Sequence, residues 1–154
     1  MYLTIHTAIG AAIGQNVASP WLAFILGIFS HYLVDAIPHG DKKMVRGLEQ
    51  HDGLLKFIKV VAIDNSFMIA TILILLSSSQ PNYWSVVAGI VGAIIPDYSQ
   101  AIGWLLPKTF FRHFYNLHSI FHNKITKFDF SPYIAFWITE VPLFIISLLL
   151  FYLK

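Results

Sequence analysis

Cysteine is absent from this chain and charge is scarce. Without cysteine no disulfide can form, and a metal site has to be built from nitrogen and oxygen donors. Only 12% of residues are Asp, Glu, Lys or Arg, where an ordinary soluble domain has about 25%. With 56% hydrophobic residues and a mean hydropathy of +0.66, the chain lacks the polar surface to cover itself in water. A soluble globule is excluded on those grounds, and the formal charge of +2 is too small to recommend a nucleic-acid partner. Strand-like alternation and low-complexity tracts are missing as well. The first residues, MYLTIHTAIGAAIG, have no basic n-region and carry a histidine where a signal peptide needs hydrocarbon. The expectation is that no signal is cleaved and that the N-terminus belongs to the working protein.

What is present is a set of long apolar runs. A spanning helix needs roughly 20 mostly apolar residues. Four stretches qualify: about Pro20–Ile37, Phe57–Leu76, Tyr83–Leu106 and Ser131–Leu153. A fifth, about Tyr2–Val17, is shorter and rich in Ala and Gly; its His6, Gly10 and Gly14 recur every four residues and share a face that lets helices approach closely. Lys42, Lys43, Arg46, Lys56 and Lys59 follow the second run, and Lys108, Arg112, Lys124 and Lys127 follow the fourth. The connections around Asn16–Pro20 and Ser77–Asn82 hold no lysine or arginine. The positive-inside rule then puts both basic connections and the N-terminus in the cytoplasm and Lys154 outside. Within Thr109–Lys127, the residues Phe110, Phe114, Leu117, Phe121 and Ile125 fall at helical spacing, which predicts an amphipathic helix on the cytoplasmic side with that apolar stripe facing the protein. The fold expected is a single all-α, polytopic membrane domain over residues 1–154, with about five transmembrane helices plus the amphipathic one.

The few ionisable residues are concentrated. Twelve positions of the second run, SHYLVDAIPHGD, hold His31, Asp35, His39 and Asp41. On the predicted topology His6, His31, Asp35, His39, Asp97, His118 and His122 all fall towards the cytoplasmic side, with Asp64 and Glu140 in the inner halves of the third and fifth spans. His31 and Asp35 are four apart, as are His118 and His122, so each pair shares a helix face and can hold one ion from two successive turns. Pro38 is expected to end or bend the second helix and turn His39 and Asp41 back to the site, and Pro96 to break the fourth span at Asp97. Either Asp64 or Glu140 is a candidate to hold a histidine's second ring nitrogen. Glu140 stands two residues before Pro142, whose ring leaves the Ile138 carbonyl without its helical partner. Asp41, His51, Asp52 and Asp129 lie near the interface, where solvation alone accounts for them.

The run His6-Thr7-Ala8-Ile9-Gly10, SHYLVDAIPHGD, Ile95-Pro96-Asp97 and Leu117-His118-Ser119 resembles a family of small prokaryotic membrane proteins described as membrane-bound metal-dependent hydrolases. A more distant similarity is to zinc-dependent phospholipases C, whose ligands also include a His-x-x-x-Asp pair and a second pair four residues apart on helices, with further histidines near the N-terminus. His31 and Asp35 match the first pair. This chain has His118 and His122 where that group has His and Glu, Leu117 where the hydrolase family has threonine, and Arg112-His113 in the reverse of the family's order.

The function expected is that of a hydrolase embedded in the cell (inner) membrane and acting on a lipid or lipid-linked phosphoester. His6, His31, Asp35, Asp97, His118 and His122 would hold one or two divalent ions, Zn first and Mn or Fe next. His39 or Asp41 would serve as general base or leaving-group acid, beside Lys42, Lys43 and Arg46 that attract anionic headgroups. The partners implied are membrane lipids and no nucleic acid. The alternative is a metal or proton transporter, or a binding protein without hydrolysis, although the outer halves of the spans offer no ionisable residue to complete a path. A scaffold whose polar cluster only joins helices would bind no metal.

Overall fold

The structure is a computed structural model that describes residues 1–40, 53–78, 82–106, 110–120 and 130–153. Among the described residues there are helices and turns and no strand. The helices are α1 (Leu3–Asn16), α2 (Pro20–Asp35), α3 (Gly53–Ser78), α4 (Tyr83–Leu105), α5 (Phe111–Ile120) and α6 (Pro132–Tyr152). Three of them contain segments long and apolar enough to cross a membrane: Ile58–Ser78, Tyr83–Gly103 and Pro132–Tyr152. That marks a membrane protein, and it accounts for three of the five expected spans. At 1.5 Å per residue, α1 and α2 reach only about 21 and 24 Å, short of the ~30 Å hydrocarbon thickness.

α1 sits at the centre of the bundle, in contact with α2, α3, α4 and α6, and most of its residues from Ile5 to Gln15 are buried. The reason is side-chain size. A Cβ added at Gly10 would overlap the carbonyl of Gly89, one at Gly14 the carbonyl of Ser85, and one at Gly92 the carbonyl of Phe24. α1 and α2 therefore grip α4 backbone against backbone, which is how helices associate where the hydrophobic effect gives no drive. Away from these crossings the surface is apolar: Trp21, Ile25, Phe29 and Leu33 form an exposed ridge along α2.

Two prolines behave differently. α2 ends at Asp35, three residues before Pro38, and the chain turns through Gly40 at φ +89°. There Gly40 lies against Pro132 and Ala135 of α6, and the Thr139 hydroxyl donates to Pro38 O at 3.1 Å. Pro96, expected to break the fourth span, does not: α4 runs through it without interruption to Leu105. Proline removes a single hydrogen bond, and packing by α1 and α2 on both sides carries the helix across that gap. In α6 a π turn over Phe136–Glu140 directly precedes the turn that holds Pro142.

Candidate metal centre

α2 presents His31 and Asp35 on one face, as their spacing requires; both are fully buried and His31 Nε2 lies 3.2 Å from Asp35 Oδ2. α4 brings Asp97 to the same place, with Oδ1 3.7 Å from His31 Nε2. α5 brings His118, whose Nε2 is 3.4 Å from Asp35 Oδ2 and 3.7 Å from Asp97 Oδ1. One donor atom from each of these four residues lies within 4.8 Å of all the others, a grouping that can hold a metal ion. α1 adds His6, stacked on the His31 ring at 4.1 Å between centroids, with Nε2 3.2 Å from Asp35 Oδ1. The amino group of Met1 is also 3.2 Å from Asp35 Oδ1. Tyr32 closes one side, edge-on to His31 at 5.4 Å.

The protons say what this arrangement wants. A carbonyl can only accept, so at 2.8 Å it is His31 Nδ1–H that donates to Ala93 O. In the neutral ring, Nε2 then carries a lone pair aimed at two carboxylates and at a second imidazole whose Nδ1 is 3.4 Å away. The His31 lone pair facing two carboxylates in a buried space calls for a cation between them. His6 Nε2 is buried, and no hydrogen bond meets it despite the nearness of Asp35. Two neutral imidazoles and two carboxylates balance a divalent ion to zero net charge. The Ala93 contact is the outer hydrogen bond that commonly orients a ligating histidine. Pro96 has no N–H to give to Gly92, and the carbonyl next along the chain, Ala93, is the one His31 uses. Access is lopsided: Asp97 is 24% exposed, while His31 and Asp35 are sealed.

Five of the six expected ligands thus meet: His31, Asp35, Asp97 and His118 as the donor group and His6 against its edge. The sixth, His122, lies outside the described residues, as does Asp41. His39 is buried but is not among the four donors; its Nδ1–H donates to Ile37 O at 2.6 Å on the turn after α2. His113 is exposed. The inward face of α5 differs from expectation. Phe110 and Leu117, read as part of the inward stripe, are exposed, and His118 is the buried residue. Asp64, one of the two candidate partners for a histidine, accepts hydrogen bonds from the start of α1. The sequence offered no route to Ala93, because a backbone carbonyl leaves no mark on residue type.

No family model, curated protein or solved structure matches the chain.

Proposed function

We propose that this protein is a membrane-embedded, metal-dependent hydrolase acting on a lipid or lipid-linked phosphoester, in keeping with the family its motifs resemble. The observation that carries the reading is the buried convergence of His31, Asp35, Asp97 and His118 from three helices. A divalent ion bound there supplies Lewis acidity, polarising a phosphoryl oxygen and making water acidic enough to attack at neutral pH. Ala93 keeps the His31 lone pair turned inward. Asp97, the one partly exposed member, marks the side from which substrate and water arrive. His6 extends the donor set towards a second ion, and His122 is the sixth proposed ligand. His39 or Asp41 acts as general base or leaving-group acid.

The same reading proposes five membrane crossings, with α1 and α2 reaching the interface through bilayer thinning around a short, protein-shielded bundle. The site then faces the cytoplasmic side of the inner membrane. The helix containing Phe111–Ile120 lies there as an amphipathic cap, and the neighbouring Lys and Arg residues gather anionic headgroups at about 1 kcal/mol each.

The test is metal per chain by mass spectrometry for wild type, His31→Ala and Asp35→Asn, followed by a screen of lipid phosphoesters. Metal in the wild type and loss from both variants, with hydrolysis abolished, is the expected result. Equal metal in all three refutes the ligand assignment, and metal without hydrolysis moves the protein to the binding or transport class.

A further inference from the structure

The acid of α3 is left over by this reading, and its surroundings are specific. A helix start leaves its first N–H groups without intrahelical partners. In α1 the residue before the helix, Tyr2, makes no side-chain cap. Ile5 N–H and His6 N–H reach Tyr2 O at 3.0 and 3.4 Å, but Leu3 and Thr4 have nothing within their own helix. Both are met from the neighbouring one. Leu3 N–H donates to Asp64 Oδ2 at 2.7 Å and Thr4 N–H to Oδ1 at 3.1 Å. The Thr4 hydroxyl donates to Oδ1 at 2.7 Å and stands 3.1 Å from Asp64 O. Both carboxylate oxygens are therefore engaged by one turn of α1, where the positive end of the helix dipole also favours a negative charge.

His6 is two residues beyond Thr4, on the turn that Asp64 grips. Its ring meets Asp35 at 3.2 Å and stacks on His31 at 4.1 Å, so a small slide or rotation of α1 would take it out of reach. Gly10 and Gly14 do not oppose a slide with interlocking side chains, because they present only backbone to α4. We propose that Asp64 is a positioning residue for the candidate metal centre: it caps α1 from α3 and sets the height and rotation at which His6 faces Asp35. This rests on the metal-site reading for its purpose, but the geometry it asserts is a property of the metal-free chain.

The experiment uses the full chain in detergent, stripped of metal with chelator and labelled with ¹⁵N-histidine, and reads the ring nitrogen signals of His6. Asp64→Asn keeps the shape but offers one acceptor where two are needed; Thr4→Val keeps the carboxylate and removes only the hydroxyl. Ser19→Ala, which removes the side-chain cap at the start of α2, is the control for a general loss of stability. The expected result is a displaced His6 signal in Asp64→Asn, a smaller displacement in Thr4→Val, and none in Ser19→Ala. Unmoved His6 signals in both of the first two variants overturn the proposal, as does an equal displacement in the control. Cobalt(II) titration then asks whether the position matters for binding. About tenfold weaker binding is expected in Asp64→Asn, the lower end of what outer contacts usually cost, and no further weakening when His6→Ala is already present. Independent, additive losses would overturn action through His6. A wild type that takes up no cobalt would sink the metal-site reading, and the His6 signals would still decide the role of Asp64.

Discussion

α3 and α4 are alike by composition, both long and apolar enough to cross a membrane, yet they are held in opposite ways. α4 is gripped on two sides through Gly89, Gly92 and Ala93 and delivers Asp97 to the donor cluster. α3 exposes Leu55, Ile58, Ile63, Phe67, Leu73 and Ile74, packs chiefly on α1, and is anchored there by Asp64. The lesson concerns what joins helices when the solvent is itself apolar. Leucines and isoleucines gain little by leaving lipid for protein, so association is left to close backbone contact and to polar groups.

The largest effect should come from α4. Gly89→Val puts a side chain into the carbonyl of Gly10 and should leave no monodisperse folded protein by size-exclusion chromatography. Leu73→Ala, on an exposed face of α3, should stay within about 0.5 kcal/mol of wild type by thermal melting. Similar losses from both would show that side-chain burial, and not backbone approach, holds the bundle.

Metal content comes next. Asp35→Asn should reduce bound metal to background, because the Asp35 carboxylate lies within 3.4 Å of His6, His31 and His118. Asp97→Asn should retain metal with weaker affinity, since its carboxylate is partly solvated and stands farther from both rings. Competition with a chromophoric chelator ranks the two, and the reverse order would mean that Asp97 is the principal carboxylate.

Smaller effects sharpen the account of the polar contacts. Thr139→Val removes the hydrogen bond to Pro38 O that ties α6 to the turn after α2, and should cost about 1 kcal/mol in stability without changing metal content. Tyr98→Phe removes the exposed 2.9 Å hydrogen bond to Asn65, the polar link between α3 and α4, and should cost about 0.6 kcal/mol, the average for such bonds in a membrane protein. A loss from Tyr98→Phe as large as that from Thr139→Val would show that α3 leans on α4 more than its exposure suggests.

Much of the site could be read along the chain because its parts follow local rules. A four-residue interval places His31 and Asp35 on one helix face whatever surrounds them. Scarce charge gathered among apolar runs pointed to the same end of the bundle for His6, Asp97 and His118. The inward face of α5 could not be read so. Leu117 is exposed and His118 buried, because the carboxylates of Asp35 and Asp97 that His118 meets lie on the inner side, and a helix's own pattern does not record its partners. Pro96 misled because the usual cost of a proline falls on an isolated helix, whereas α4 is packed against both α1 and α2.

Composition by itself determined that this is a helical membrane protein, since 12% charged residues cannot clothe a soluble core and lipid admits few other backbones. Spacing determined which donors travel together. Only the tertiary structure decided which helix ends meet, that Asp64 belongs to the start of α1, and that Ala93 fixes the proton of His31. Those are contacts between backbone groups and side chains up to 62 positions apart. The contact with Ala93 depends on how closely glycines let α2 approach α4, a distance that no residue records in its own sequence.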